Sequence, residues 1–135
     1  PVADLDAVDV PRLGRALRHH RTFSPRGTNV NFIQPAAGRT GRLRVRTYER
    51  GVEEETLACG TGIAASAILY GLSRRSGNGH GHRHRLELVP RSGDVLTVAF
   101  TAVSEGSRVR VTDVVLEGPA VRVFDGAVSW PLGRD

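Results

Sequence analysis

The chain has 135 residues, 39% hydrophobic and 24% charged, a composition that fits one soluble globular domain and not a disordered segment. A single cysteine excludes an internal disulfide. No apolar run reaches the ~18 residues of a membrane span and no signal peptide opens the chain, so the expected compartment is the cytoplasm and no membrane partner is expected. All 19 basic residues are Arg and the formal net charge is +5. Without Lys there is no pyridoxal-phosphate imine on this chain. The charges are spread out and aromatic residues make up 5%, so no nucleic-acid partner is expected. The absence of Met and the opening Pro1-Val2-Ala3 suggest a chain that starts inside a longer sequence.

The first element is a helix. Asp9 is its N-cap, Pro11 sits near the first helical position, and Leu13, Ala16 and Leu17 recur at helical spacing. Arg12, Arg15 and Arg18 fall on its other faces, and His19-His20-Arg21 suits its C-terminus. Ser24-Pro25-Arg26-Gly27 is a turn, Thr28 to Ile33 a strand, and Pro35 to Gly41 a connector. Leu43 to Glu49 alternates as a half-exposed strand, with Leu43, Val45 and Thr47 inward and Arg44, Arg46 and Tyr48 outward. Thr61 to Leu72 is a helix with little polar face, expected to be surrounded by protein on most sides. Gly71 to Gly81 reads as a loop. Four β-rich runs follow, Leu86–Val89, Val95–Phe100, Val109–Leu116 and Val121–Phe124, separated by turn signals. The expected fold class is α+β: one domain over 1–135, an antiparallel β-sheet or barrel wrapped around a central apolar helix.

Chemistry concentrates in Leu57-Ala58-Cys59-Gly60-Thr61-Gly62, just before the apolar helix. The free N–H groups of Gly60, Thr61 and Gly62 form an anion site at a helix N-terminus. The same dipole favours a thiolate at Cys59. The competing reading makes Cys59 a small buried hydrophobe. Upstream, Glu49-Arg50 places a carboxylate beside a guanidinium. That pair suits an amino-acid ligand, although a surface ion pair at a strand end has the same signature.

Four blocks, Thr28-Asn29-Val30-Asn31-Phe32, Tyr48-Glu49-Arg50-Gly51, Glu55-Thr56-Leu57-Ala58-Cys59-Gly60-Thr61-Gly62 and Leu116-Glu117-Gly118-Pro119-Ala120-Val121, resemble the diaminopimelate epimerase family in the same order. The resemblance implies a cofactor-independent and metal-independent isomerase that interconverts LL- and meso-diaminopimelate for lysine and peptidoglycan synthesis. Two thiols on opposite faces of the α-carbon move the proton, and Cys59 matches one of them. Gly60 and Thr61 match the amides that hold the α-carboxylate, and Glu49 matches the glutamate near the reacting amine. Asn29 and Arg50 match residues that grip the far end of the substrate. A homodimer is a further implication of the family.

Three departures stand out. The family needs two cysteines, and this chain has one. The family's N-terminal half also supplies asparagines and a Gly-Asn-Pro-His segment, which are absent. Glu53-Glu54-Glu55 lengthens the loop before Cys59. The chain therefore resembles the C-terminal half of the enzyme, with the N-terminal domain as its missing partner. Two alternatives stay open: a proline or hydroxyproline racemase-like enzyme, and a non-catalytic isomerase-like binding domain.

Other features read as plain structure. His80, His82 and His84 alternate, yet their glycine-rich setting marks a solvated loop rather than a metal site. Arg42, Arg44 and Arg46 form a basic stripe, read as a solvated face rather than a phosphate surface. Trp130 is expected to cap the core. Asn31 is assigned to the strand face opposite Asn29, outside the site.

Overall fold

A computed structural model describes residues 1–74 and 81–129. Its elements in chain order are α1 (Val10–Arg18), β1 (Val30–Pro35), β2 (Arg42–Glu49), β3 (Glu54–Thr56), α2 (Gly60–Ser73), β4 (His82–Val89), β5 (Leu96–Glu105) and β6 (Arg108–Glu117). Helix α1 starts where the sequence places it. The Asp9 carboxylate accepts the Arg12 N–H at 3.1 Å, satisfying one of the helix's orphan donors.

The strands form one six-stranded sheet of order β1-β2-β4-β5-β6, with β3 added to β2. Pairing is antiparallel except between β2 and β4, where Arg42 to Arg44 run parallel to Glu87 to Val89. A parallel pair needs a crossover connection, and α2 lies within it. The α+β domain is as expected, with two refinements: the sheet is open among the described residues, and one pairing is parallel.

Two apolar clusters pack on the sheet's opposite faces. Ile63 and Ala67 of α2 join Ile33, Leu43, Val45, Leu88, Val98 and Phe100 in the larger one. Leu5 and Val10 join Val30, Phe32 and Tyr48 in the smaller. This second cluster corrects the reading of Tyr48 as outward-facing. Tyr48 does alternate with Thr47, but the Gly14 turn of α1 rests on its ring and buries it.

The arginine stripe stays partly in solvent, most of all at Arg44, but its members are ion-paired rather than free. The N-terminal segment and neighbouring strands bring a carboxylate to each member: Glu87 to Arg42, Asp6 to Arg44 and Glu55 to Arg46. His82 and His84 belong to β4, not to a loop, because they pair with Ala102 and Phe100 of β5. The His84 ring stacks on Phe100 with centroids 4.6 Å apart. His80 and Trp130 lie outside the described residues.

Three other expectations change. Helix α2 is covered on its sheet side only, and Ala65 and Leu69 are exposed, because no second layer among the described residues covers that flank. Val121–Phe124 forms no strand. Its apolar side chains are exposed, and it finds no partner strand among the described residues. The short β3, unpredicted, exists because Glu54 to Thr56 pair with Thr47 to Glu49.

Candidate active site

Three connections converge at one end of the sheet: the turn before β1, the β2–β3 loop and the start of α2. Cys59 is the N-cap of α2, in extended backbone, and its carbonyl accepts the Ile63 N–H at 2.9 Å. The amides of Gly60, Thr61 and Gly62 therefore precede the helix's internal hydrogen bonding. The thiol itself does not cap the helix. It is 7% exposed. Asn29 Nδ2 donates to Sγ at 3.5 Å, and the Thr61 hydroxyl also lies 3.5 Å from Sγ.

Asn29 uses its other end as well. Its Oδ1 accepts the Arg50 N–H at 2.8 Å, so one amide links the thiol to the loop that carries Arg50. Asn29, Arg50, Thr61 and Gly62 line an open groove of about 350 Å³. Asn31 lines it too, which corrects its assignment to the opposite face. Alternation has period two, so residues 29 and 31 share a face; the spacing alone could have revealed this. Asn31 Oδ1 accepts the Thr47 hydroxyl at 2.8 Å and presses on Gly62. A Cβ at Gly62 would collide with that oxygen, so the first turn of α2 needs glycine there for close approach.

The predicted site residues are thus only partly assembled. Cys59, Asn29, Arg50 and Thr61 come together, with Gly60 opening the helix beside them. Glu49 ends β2 in a half-buried position and does not line the groove. Arg50 is exposed and makes no ion pair among the described residues. A larger cleft, about 560 Å³, lies by Tyr70, Gly71 and His84, towards the other end of α2, and contains none of these residues.

Behind the groove, two carboxylates hold the loop. Glu55 receives the Arg46 guanidinium in a two-pronged contact at 2.7 and 2.8 Å. Those hydrogen bonds, with the charges of Arg46 and Arg91, hold its carboxyl below the ordinary carboxylate range. Glu53 is held low chiefly by the Gly51 N–H, with help from Arg18. Neither role was visible in the sequence. Among the described residues no group of three or more His, Cys, Asp or Glu could hold a metal ion.

The fold and groove define an α+β domain with a buried thiol at a helix N-terminus, beside a polar, cation-bearing cleft whose lining does not include Cys59. Residues 1–114 match the family described as "Diaminopimelate epimerase", and the chain belongs to that family. It is 45% identical to the diaminopimelate epimerase of Aquifex aeolicus (strain VF5), over 96% of this chain and 41% of that protein. It is 42% identical to that of Hydrogenobaculum sp. (strain Y04AAS1), again over 96% of the chain and 41% of the relative. The relative from Chlorobaculum tepidum is 39% identical, over 95% of the chain and 44% of its own length. The chain therefore spans less than half the length of these curated relatives.

Proposed function

We propose that this chain forms the C-terminal half of a diaminopimelate epimerase active site. In this reading it contributes one of two thiols to a cofactor-independent inversion at an α-carbon. The observation that carries the reading is the Cys59 sulfur, held at the N-terminus of α2 beside Asn29 and Thr61 and tied through Asn29 to the Arg50 loop.

The Cys59 thiolate takes the α-proton of LL-diaminopimelate, and the electron pair left behind spreads into the α-carboxylate. The N–H groups of Gly60 and Thr61 hold that carboxylate where negative charge grows, which is where fixed donors help most. A thiol on the opposite face gives a proton to the carbanion, inverting the centre. The two sulfurs then exchange protons with solvent to reset. The Asn29 N–H steadies the Cys59 sulfur as an anion. Glu49, on the same strand face as Thr47, attends the reacting amine. Arg50 pairs with the distal carboxylate. A proline-like substrate has no distal carboxylate, which favours diaminopimelate over the racemase alternative.

The second thiol comes from an N-terminal domain outside this chain, and the open Ala65–Leu69 flank of α2 suits a covering layer. No helix among the described residues is long and apolar enough to cross a membrane. A cytoplasmic homodimer serving lysine and peptidoglycan synthesis completes the reading. The test is Cys59→Ser in the intact protein, read by epimerisation of LL-diaminopimelate and by deuterium uptake from solvent at the α-carbon. Both should be lost while the circular dichroism spectrum is kept. Near-normal turnover by the variant would remove Cys59 from the mechanism.

A further inference from the structure

Two loops wall the groove, one carrying Asn29 and one carrying Arg50, and both are held from behind by one ion pair. Arg18, at the end of α1, points a fork at Glu53. Its Nε and one terminal nitrogen donate to Glu53 Oε1 at 3.0 and 2.8 Å. Its other terminal nitrogen donates to the Arg26 carbonyl at 3.3 Å, three residues before Asn29. Glu53 Oε1 also accepts the Gly51 N–H at 3.0 Å, next to Arg50.

The backbone of Glu53 shows what this arrangement costs. Its φ is 63°, a left-handed conformation that a residue with a Cβ seldom adopts. The conformation is held by the Glu53 N–H on the Glu49 carbonyl at 2.8 Å and by the Tyr48 hydroxyl on the Glu53 carbonyl at 2.6 Å. Glycine would adopt this φ without strain. A strained glutamate whose carboxylate braces a binding loop fits the pattern of strain kept at functional sites. The Arg18 side chain is 13% exposed and that of Glu53 37%, so the pair is partly buried on the arginine side.

We infer that Arg18 and Glu53 are positioning residues: a clamp that sets the distance between Asn29 and Arg50 and so tunes the groove for the distal end of its substrate. The inference rests on the proposed function for the identity of that substrate, but the clamp itself does not.

The test uses the intact protein with Glu53→Gly, Arg18→Met and the two combined. Glu53→Gly removes the carboxylate and relieves the left-handed strain, so its melting temperature should be held or raised. Its KM for LL-diaminopimelate should nevertheless rise about tenfold, the loss expected for a disordered charge-assisted contact, with kcat within about twofold. Arg18→Met should give the same split, and the double variant should be no worse than either single one. Hydrogen exchange at the Gly51 amide should quicken in both single variants. Arg18→Lys, which keeps the charge and loses the fork, carries the same test if Arg18→Met does not fold. A KM equal to that of the unchanged protein in folded variants, or a loss carried by kcat alone, overturns the clamp. If the unchanged protein does not act on diaminopimelate, the functional reading fails, and Gly51 exchange alone decides: faster supports the clamp, unchanged overturns it.

Discussion

Replacing Arg46 with Met should be among the most destabilising single changes outside the apolar clusters. The guanidinium makes four hydrogen bonds: two to Glu55 at 2.7 and 2.8 Å, and one each to the carbonyls of Leu5 and Val8 at 3.0 and 3.1 Å. The Glu55 side chain is only 8% exposed, and the next cation, Arg91, lies 3.8 Å away with half its surface in water. Methionine would keep much of the stem's packing and leave a carboxylate stranded. Breaking a buried pair from one side costs roughly 3–5 kcal/mol. Arg91 can move in and the site is near the surface, so about 3 kcal/mol is the reasoned value. For a domain of this size that is a melting shift of about 10 °C. Adding Glu55→Gln to Arg46→Met removes the stranded charge and should recover part of the loss.

The acid limb offers a second readout of the same pair. Glu55 is held below its ordinary pKa in the folded state. Its contribution is therefore fully present above the unfolded carboxylate range, near pH 5, and is lost as pH falls through the lower folded value. Arg46→Met should flatten that part of the stability curve. Urea titrations at several pH values measure both effects. A loss under about 0.5 kcal/mol at pH 7, with the acid limb unchanged, would show that the pair is an ordinary surface contact.

Two further predictions concern the groove's walls. Gly62→Ala puts a Cβ against Asn31 Oδ1. It should cost about 1–3 kcal/mol by overpacking and should lower kcat/KM in the intact protein; unaltered stability and activity would mean that Asn31 moves aside freely. Tyr48→Phe deletes the hydroxyl that donates to the Glu53 carbonyl at 2.6 Å and should cost about 1 kcal/mol, with faster exchange at the Gly51 amide; a neutral result would place the restraint on the loop elsewhere.

What the sequence revealed depended on how local each signal was. The start of α1 was legible because Asp9 and Pro11 act within one turn. The place of Cys59 was legible because the glycines beside it announce a helix start. Tyr48 was misread because its burial depends on α1 reaching the sheet's second face, which strand alternation does not report. The Arg18–Glu53 pair spans 35 residues, so no periodicity could connect its members. Residues 82–85 look like loop in isolation, since His and Arg have no strong preference for strand. Pairing with β5 decides their state, whereas Val121–Phe124 has no partner strand among the described residues. Asn31 is different, because the two-residue period already placed it beside Asn29.

The crossover that contains α2 has one short arm and one long arm. Only Leu57-Ala58-Cys59 separates β3 from the first helical residue, and Leu57 is itself fastened by its carbonyl to the Ser92 N–H at 3.0 Å. Residues 74–81 lie between the other end of α2 and β4. An extra residue in the short arm would displace the sulfur by as much as ~3.5 Å, farther than a hydrogen bond can stretch. Length variation is therefore excluded from the three positions that measure out where the thiol stands.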